Sequence, residues 1–186
     1  MMKKLIIAAL AAGAAAFAVP AVAQSVSGTI DLTGTVAAKC TAAGGLNSSI
    51  DLGELAVADG TVNAAFSANN GGLTRTFTVT CTSSNPQLSV NASPLVNAAV
   101  VTPTTGYTNT VNYTATMTAA KAAGGLASVA DTSNVAGATT VLVGDHLANA
   151  ASNVAVTVST GNTAAGALLE AGTYNGSIAI TVAPSA

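Results

Sequence analysis

Apolar and hydroxyl side chains alternate at period two along much of this chain, and that pattern constrains it to β-structure. Val111, Tyr113, Ala115 and Met117 alternate with Thr110, Asn112, Thr114, Thr116 and Thr118. Leu73, Phe77, Val79 and Cys81 alternate with Thr74, Thr76, Thr78 and Thr80, and Arg75 stands on the apolar side near the start. Successive side chains of a strand point to opposite faces, so each run predicts one buried and one solvated face. β-Branched and aromatic residues fit such a half-buried surface. Leu88, Val90 and Ala92 mark a further strand after the turn Ser83-Ser84-Asn85-Pro86, which makes it the hairpin partner of the run ending at Cys81. Val154, Val156 and Val158 mark another. Tyr174, Ile178, Ile180 and Val182 form the last, stopped by Pro184.

Weaker signals lie between these runs. Ile50-Asp51-Leu52-Gly53-Glu54-Leu55 predicts a short strand with Ile50 and Leu52 on one side, and residues 139–143 predict another. Pro94 and Pro103 bracket a loop with room for a short strand at Val100-Val101. Residues 56–72 and 161–171 read as loop. Residues 119–138 are Ala/Gly-rich, with room for one helical turn; Gly124-Gly125 argues against a longer helix. Seven or eight strands separated by turn signals predict an all-β fold, an antiparallel β-sandwich of Ig-like type.

The alternation is longest in residues 25–40. Val26, Gly28, Ile30, Leu32, Gly34, Val36, Ala38 and Cys40 share one side. Sixteen residues at about 3.3 Å each would run roughly 50 Å, whereas ordinary strands have about 5–6 residues. A break at Gly34 is expected, where a strand is weakest. The second half then begins the folded body and ends at Cys40. The first half is a free strand with an apolar edge and no evident partner within the sequence pattern.

Residues 1–23 read as a cleaved signal peptide. Lys3 and Lys4 precede an apolar, alanine-rich run, and Ala21-Val22-Ala23 is an A-x-A site that places cleavage between Ala23 and Gln24. The rival reading is an uncleaved membrane anchor, which Pro20 and the cleavage motif oppose. The remainder suits one domain, divided into an extension at 24–33 and a body at 34–186. All seven acidic residues lie after Ala23, against Lys39, Arg75 and Lys121. That balance argues against nucleic acid as a partner. Charged residues are only 6 % of the chain, against about 25 % ordinarily, and long neutral β-edges invite further pairing. Cys40 and Cys81, in an exported chain, predict one disulfide. It would close a loop of about 40 residues and stabilise by roughly 4 kcal/mol.

No catalytic, cofactor or metal constellation is expected. His146 is the one histidine, and Gly144-Asp145-His146 reads as a turn rather than part of a triad. There is no G-x-S-x-G elbow, phosphate loop or zinc motif. The lack of Trp, with three Tyr and three Phe, weakens a sugar-binding reading.

Three pieces in order carry a resemblance: Gly28-Thr29-Ile30-Asp31-Leu32-Thr33-Gly34-Thr35-Val36 leading to Cys40, then Ile50-Asp51-Leu52-Gly53-Glu54-Leu55, then Phe77-Thr78-Val79-Thr80-Cys81. With the closing Ala171-Gly172-Thr173-Tyr174 and Ile178, Ile180, Thr181 and Val182, the chain resembles the major pilin subunits of chaperone–usher fimbriae, the type 1 and P pilus class. It also resembles their spore-coat-U-like, archaic branch. The resemblance implies a sandwich that lacks its last strand. A periplasmic chaperone fills the groove during export. At the outer-membrane usher, the extension of the next subunit replaces the chaperone. The donor would be residues 24–33, with Val26, Ile30 and Leu32 filling groove pockets and Gly28 and Gly34 placed where backbones approach closely. The product is a surface fimbrium supporting adhesion, with no cofactor. One departure stands out: many fimbrial subunits end in an aromatic residue, and this chain ends Val182-Ala183-Pro184-Ser185-Ala186. Two other readings are compatible with the sequence: a self-contained secreted sandwich whose first strand pairs within its own chain, and a binding module for sugar or protein.

Overall fold

A computed structural model describes residues 25–67 and 72–185. The signal-peptide reading, with Ala23 and Gln24, lies outside the described residues. The chain divides into two compact units, 1–34 and 35–186. In the first, residues 25–34 form no strand and every side chain is exposed.

The second unit is all-β. In chain order its strands are β1 (Cys40–Ala43), β2 (Thr74–Cys81), β3 (Gln87–Ala92), β4 (Leu95–Val96), β5 (Tyr107–Thr108), β6 (Thr110–Ala120), β7 (Leu126–Thr132), β8 (Thr139–Leu142), β9 (Val154–Asn162), β10 (Leu168–Leu169) and β11 (Ile178–Ala183). One layer runs β1-β2-β9-β6, and β6 also pairs with β4 and β7. The facing layer runs β11-β3-β8. All pairings in both layers are antiparallel; β5 and β10 form a small parallel pair apart from them.

The threonine alternation places the core between the layers. On β6, Val111, Tyr113, Ala115, Met117 and Ala119 are buried, and the intervening threonines face outward. Leu88 and Val90 of β3 and Val154 of β9 meet them at 0 % exposure. Removing apolar area from water at about 25 cal/mol per Å² makes this stripe the main stabilising contribution.

Among the described residues, the buried polar side chains are matched to backbone. Asn153 Oδ1 accepts from Val79 N at 2.8 Å, and its Nδ2 donates to Val79 O and Ala148 O, both at 2.7 Å. The side-chain amide thus continues the β2 ladder where the main chain of β9 has not yet begun. Asp131 on β7 accepts from Ala92 N of β3 at 2.8 Å and from the Thr139 hydroxyl at 2.9 Å, tying the layers together.

Several local expectations change. β1 begins at Cys40 instead of ending there, and residues 35–39 are exposed and form no strand. Cys81 is the last residue of β2, and Thr82 just after it holds the preceding chain by bonds to Ala37 O and Lys39. Residues 50–55 are not a strand. The Asp51 carboxylate accepts from Gly53 N and Glu54 from Ala56 N, and Gly53 takes φ 68°, a turn rather than a pleat. β3 is not the hairpin partner of β2. Pro86 O accepts from Val143 N and Asn85 Oδ1 from Gly144 N, which draw the chain across to β8 in the other layer. Val100-Val101 forms no strand, while Leu95–Val96 does. Residues 119–138 hold no helical turn but a β6–β7 hairpin, with Gly124 and Gly125 at positive φ in its loop.

Candidate functional site: an open groove along the last strand

β11 lies at the end of its layer. Among the described residues it pairs with β3 alone, which leaves its other edge open. Ile178, Ile180 and Val182 face the core side of β11 but are only half-buried, unlike Leu88 and Val90 on neighbouring β3. The core is therefore uncovered along this edge.

The uncovered region is a groove of about 320 Å³. Ile178 and Ile180 form one wall. Residues 46–52, with Leu46, Ile50 and Leu52, form the other. Arg75 and Phe77 of β2, Val156 and Val158 of β9, and Tyr113 of β6 form the floor. A second cavity of about 700 Å³ continues past Gly176, lined by Leu52, Leu169 and Tyr174 and rimmed by Asp51, Glu54 and Glu170. Gly176 seats the start of β11: a Cβ there would lie 2.8 Å from Pro94 O and 3.0 Å from Ser93 O.

Two floor side chains reach the walls. Arg75 Nε donates to Ser49 O at 2.7 Å, and Nη1 donates to Gly72 O and Thr74 O. The Tyr113 hydroxyl donates to Ser177 O at 3.0 Å. Burial, helped by the nearby Asp131 carboxylate, pushes the Tyr113 hydroxyl up to about 12. It therefore stays a donor at all physiological pH. A raised folded-state value makes a contribution that is complete below the unfolded value of 10.0 and is lost as pH rises towards about 12. Urea titrations between pH 9 and 12 should show the midpoint falling in the wild type, with part of that fall absent in Tyr113→Phe.

The apolar side of the leading stretch is exposed: Val26 99 %, Ile30 87 %, Leu32 91 %, and beyond the expected break Val36 82 %. Nothing lies within 4 Å of a Cβ placed on Gly28 or Gly34. Cys40 and Cys81 stand directly opposite each other across β1 and β2 and are joined by a disulfide. Both are half-buried at the rim of the layer, less enclosed than their apolar-side positions predict.

His146 lines neither cavity. Its Nδ1 lies 3.8 Å from Asp145, whose carboxylate accepts from Ala123 N and His146 N. Those bonds hold the Asp145 carboxyl below the usual range, Ala123 contributing most. Among the described residues no cluster of His, Cys, Asp and Glu could hold a metal ion. The chain matches no family model, no curated protein and no solved structure.

Proposed function

We propose that this chain is the structural subunit of a bacterial surface fimbrium, an Ig-like pilin that polymerises head to tail and supports adhesion. The extension of one copy enters the groove of the next. One pairing of features carries the reading: the chain holds an apolar groove beside an unpaired strand edge and, in residues 25–36, an exposed apolar stripe of the right periodicity to cover it.

A strand added at β11 would satisfy the edge backbone and place alternate side chains in the groove. Burying Val26, Ile30 and Leu32 would contribute roughly 5–9 kcal/mol as an upper value. Because the stripe and the groove are different surfaces of one chain, the contact is heterologous and does not close, which yields a filament. The partners are identical or related subunits. During export they are a periplasmic chaperone that covers the groove and an outer-membrane usher. The chain catalyses nothing in this reading, and His146 is a surface residue.

The test compares two charges on opposite sides of the extension. Ile30→Asp puts an unpaired carboxylate into the apolar groove and should weaken subunit addition at least about a hundredfold. Thr29→Asp, on the solvent side, should be nearly silent. Filament yield measured side by side decides: equal harm from both variants, or greater harm from Thr29→Asp, would contradict the reading.

A further inference from the structure

We infer that Arg75 and Tyr113 set the width of the groove, each propping one wall from the floor. This rests on the fimbrial reading for what enters the groove, but not for the props themselves.

The geometry is paired. Arg75 rises from β2 and holds Ser49 O at 2.7 Å, on the wall formed by residues 46–52. Tyr113 rises from β6 and holds Ser177 O at 3.0 Å, at the start of the β11 wall. Both side chains line the groove. The first wall needs such a prop, because residues 46–52 belong to no strand. Arg75 is also an unusual choice for a core-facing strand position, where its register partner is Val156. Its side chain lines the groove, and its guanidinium reaches the carbonyls of Ser49, Gly72 and Thr74. A charged donor in a fixed fork makes a stronger tether than a neutral one. On the other side, Ser177 O also accepts from Ser93 N at 2.8 Å, so β11 is held from its own layer as well as from the floor. Arg75 should therefore be the more consequential prop.

The consequence for binding is pre-organisation. A strand entering between two fixed walls does not have to order them, whereas a loose wall adds its ordering entropy to the cost of capture. Arg75 and Tyr113 are positioning residues: they act through the walls.

The test uses the full exported chain and a synthetic peptide of residues 25–36. Backbone order parameters are measured by NMR, and peptide affinity by titration, for wild type, Arg75→Met, Arg75→Lys, Tyr113→Phe and the double variant Arg75→Met/Tyr113→Phe. In wild type, residues 46–52 should be near the rigid value of about 0.85, and in Arg75→Met they should fall below about 0.6. β6 and β9 should be unchanged. Peptide affinity should fall about tenfold in Arg75→Met and about fivefold in Tyr113→Phe. The double variant should multiply the two losses, since the props act on opposite walls. Arg75→Lys should recover part of the order and affinity. Unchanged order at 46–52 in Arg75→Met, loosening spread evenly over β6 and β9, or loosened walls with unaltered affinity would each overturn the inference. If wild type does not bind the peptide, the fimbrial reading fails, and the order parameters still decide whether Arg75 props the wall.

Discussion

Removal of residues 24–33 is expected to abolish filaments while leaving the body folded under its chaperone. The truncated subunit keeps its groove and can receive a strand, but it has none to give. It should therefore cap a growing chain, and small amounts mixed with wild type should shorten filaments. The stability argument is specific: residues 25–34 form no strand, and Val26, Ile30 and Leu32 contribute almost no buried area to the single chain. Electron microscopy of the surface filaments, with thermal unfolding of the chaperone-bound subunit, checks both halves. A truncated chain that still polymerises would contradict the donor role. A truncated body that unfolds with its chaperone present would show that the extension completes its own core.

The second large effect is expected from replacing both cysteines with serine. The disulfide joins residues 41 apart in sequence and fixes them directly opposite across β1 and β2. Closing a loop of that length removes roughly 4 kcal/mol of denatured-state freedom in the chain-entropy model. That is a large part of the roughly 5–15 kcal/mol by which domains are stable. β1 is only four residues long and, among the described residues, pairs with β2 alone. The Cys40→Ser/Cys81→Ser chain should lose about this amount in urea unfolding, with β1 and the chain up to residue 52 loosening first. A loss under about 1 kcal/mol would mean that the β1–β2 register holds without the bond.

Much of the fold was legible because threonine and valine alternate so cleanly. β2, β6 and β9 each have an apolar side chain at every second position, or nearly so, and each lies where that pattern places it; β11 begins only at Ile178, because Tyr174 turns away to donate to Thr108 O and Glu170 O. β7 escaped because its inward residues are Ala127, Val129 and Asp131: two are too small or too polar to mark a buried face. Asp131 becomes a core residue only because Ala92 N and Thr139 arrive from elsewhere in the chain to bond it. The sequence motif at residues 50–55 looked like a strand because Ile50 and Leu52 alternate. Local carboxylate-to-backbone bonds won over that pattern.

The candidate site was half legible. The apolar stripe of the extension is a local pattern, visible at once in Val26, Ile30 and Leu32. The two units divide at Gly34, but residues 35–39 stay exposed and outside any strand, because nothing local says that β1 starts only at Cys40. The groove is assembled from residues 46 to 180 and depends on β11 pairing with β3 rather than with its neighbours in sequence. Arg75 was visible as an oddity on an apolar face. Its partner, the Ser49 carbonyl, is fixed only by the path of the chain after β1.

The most direct test places a photocrosslinking residue at Ile30 and assembles filaments from a mixture of isotopically light and heavy subunits. Cross-linked peptides are then identified by mass spectrometry. Mixed light–heavy pairs are expected, joining position 30 of one copy to the groove of another at residues 178–182, 46–52 or Phe77. Cross-links confined to a single copy, or mixed pairs that avoid the groove, would contradict it.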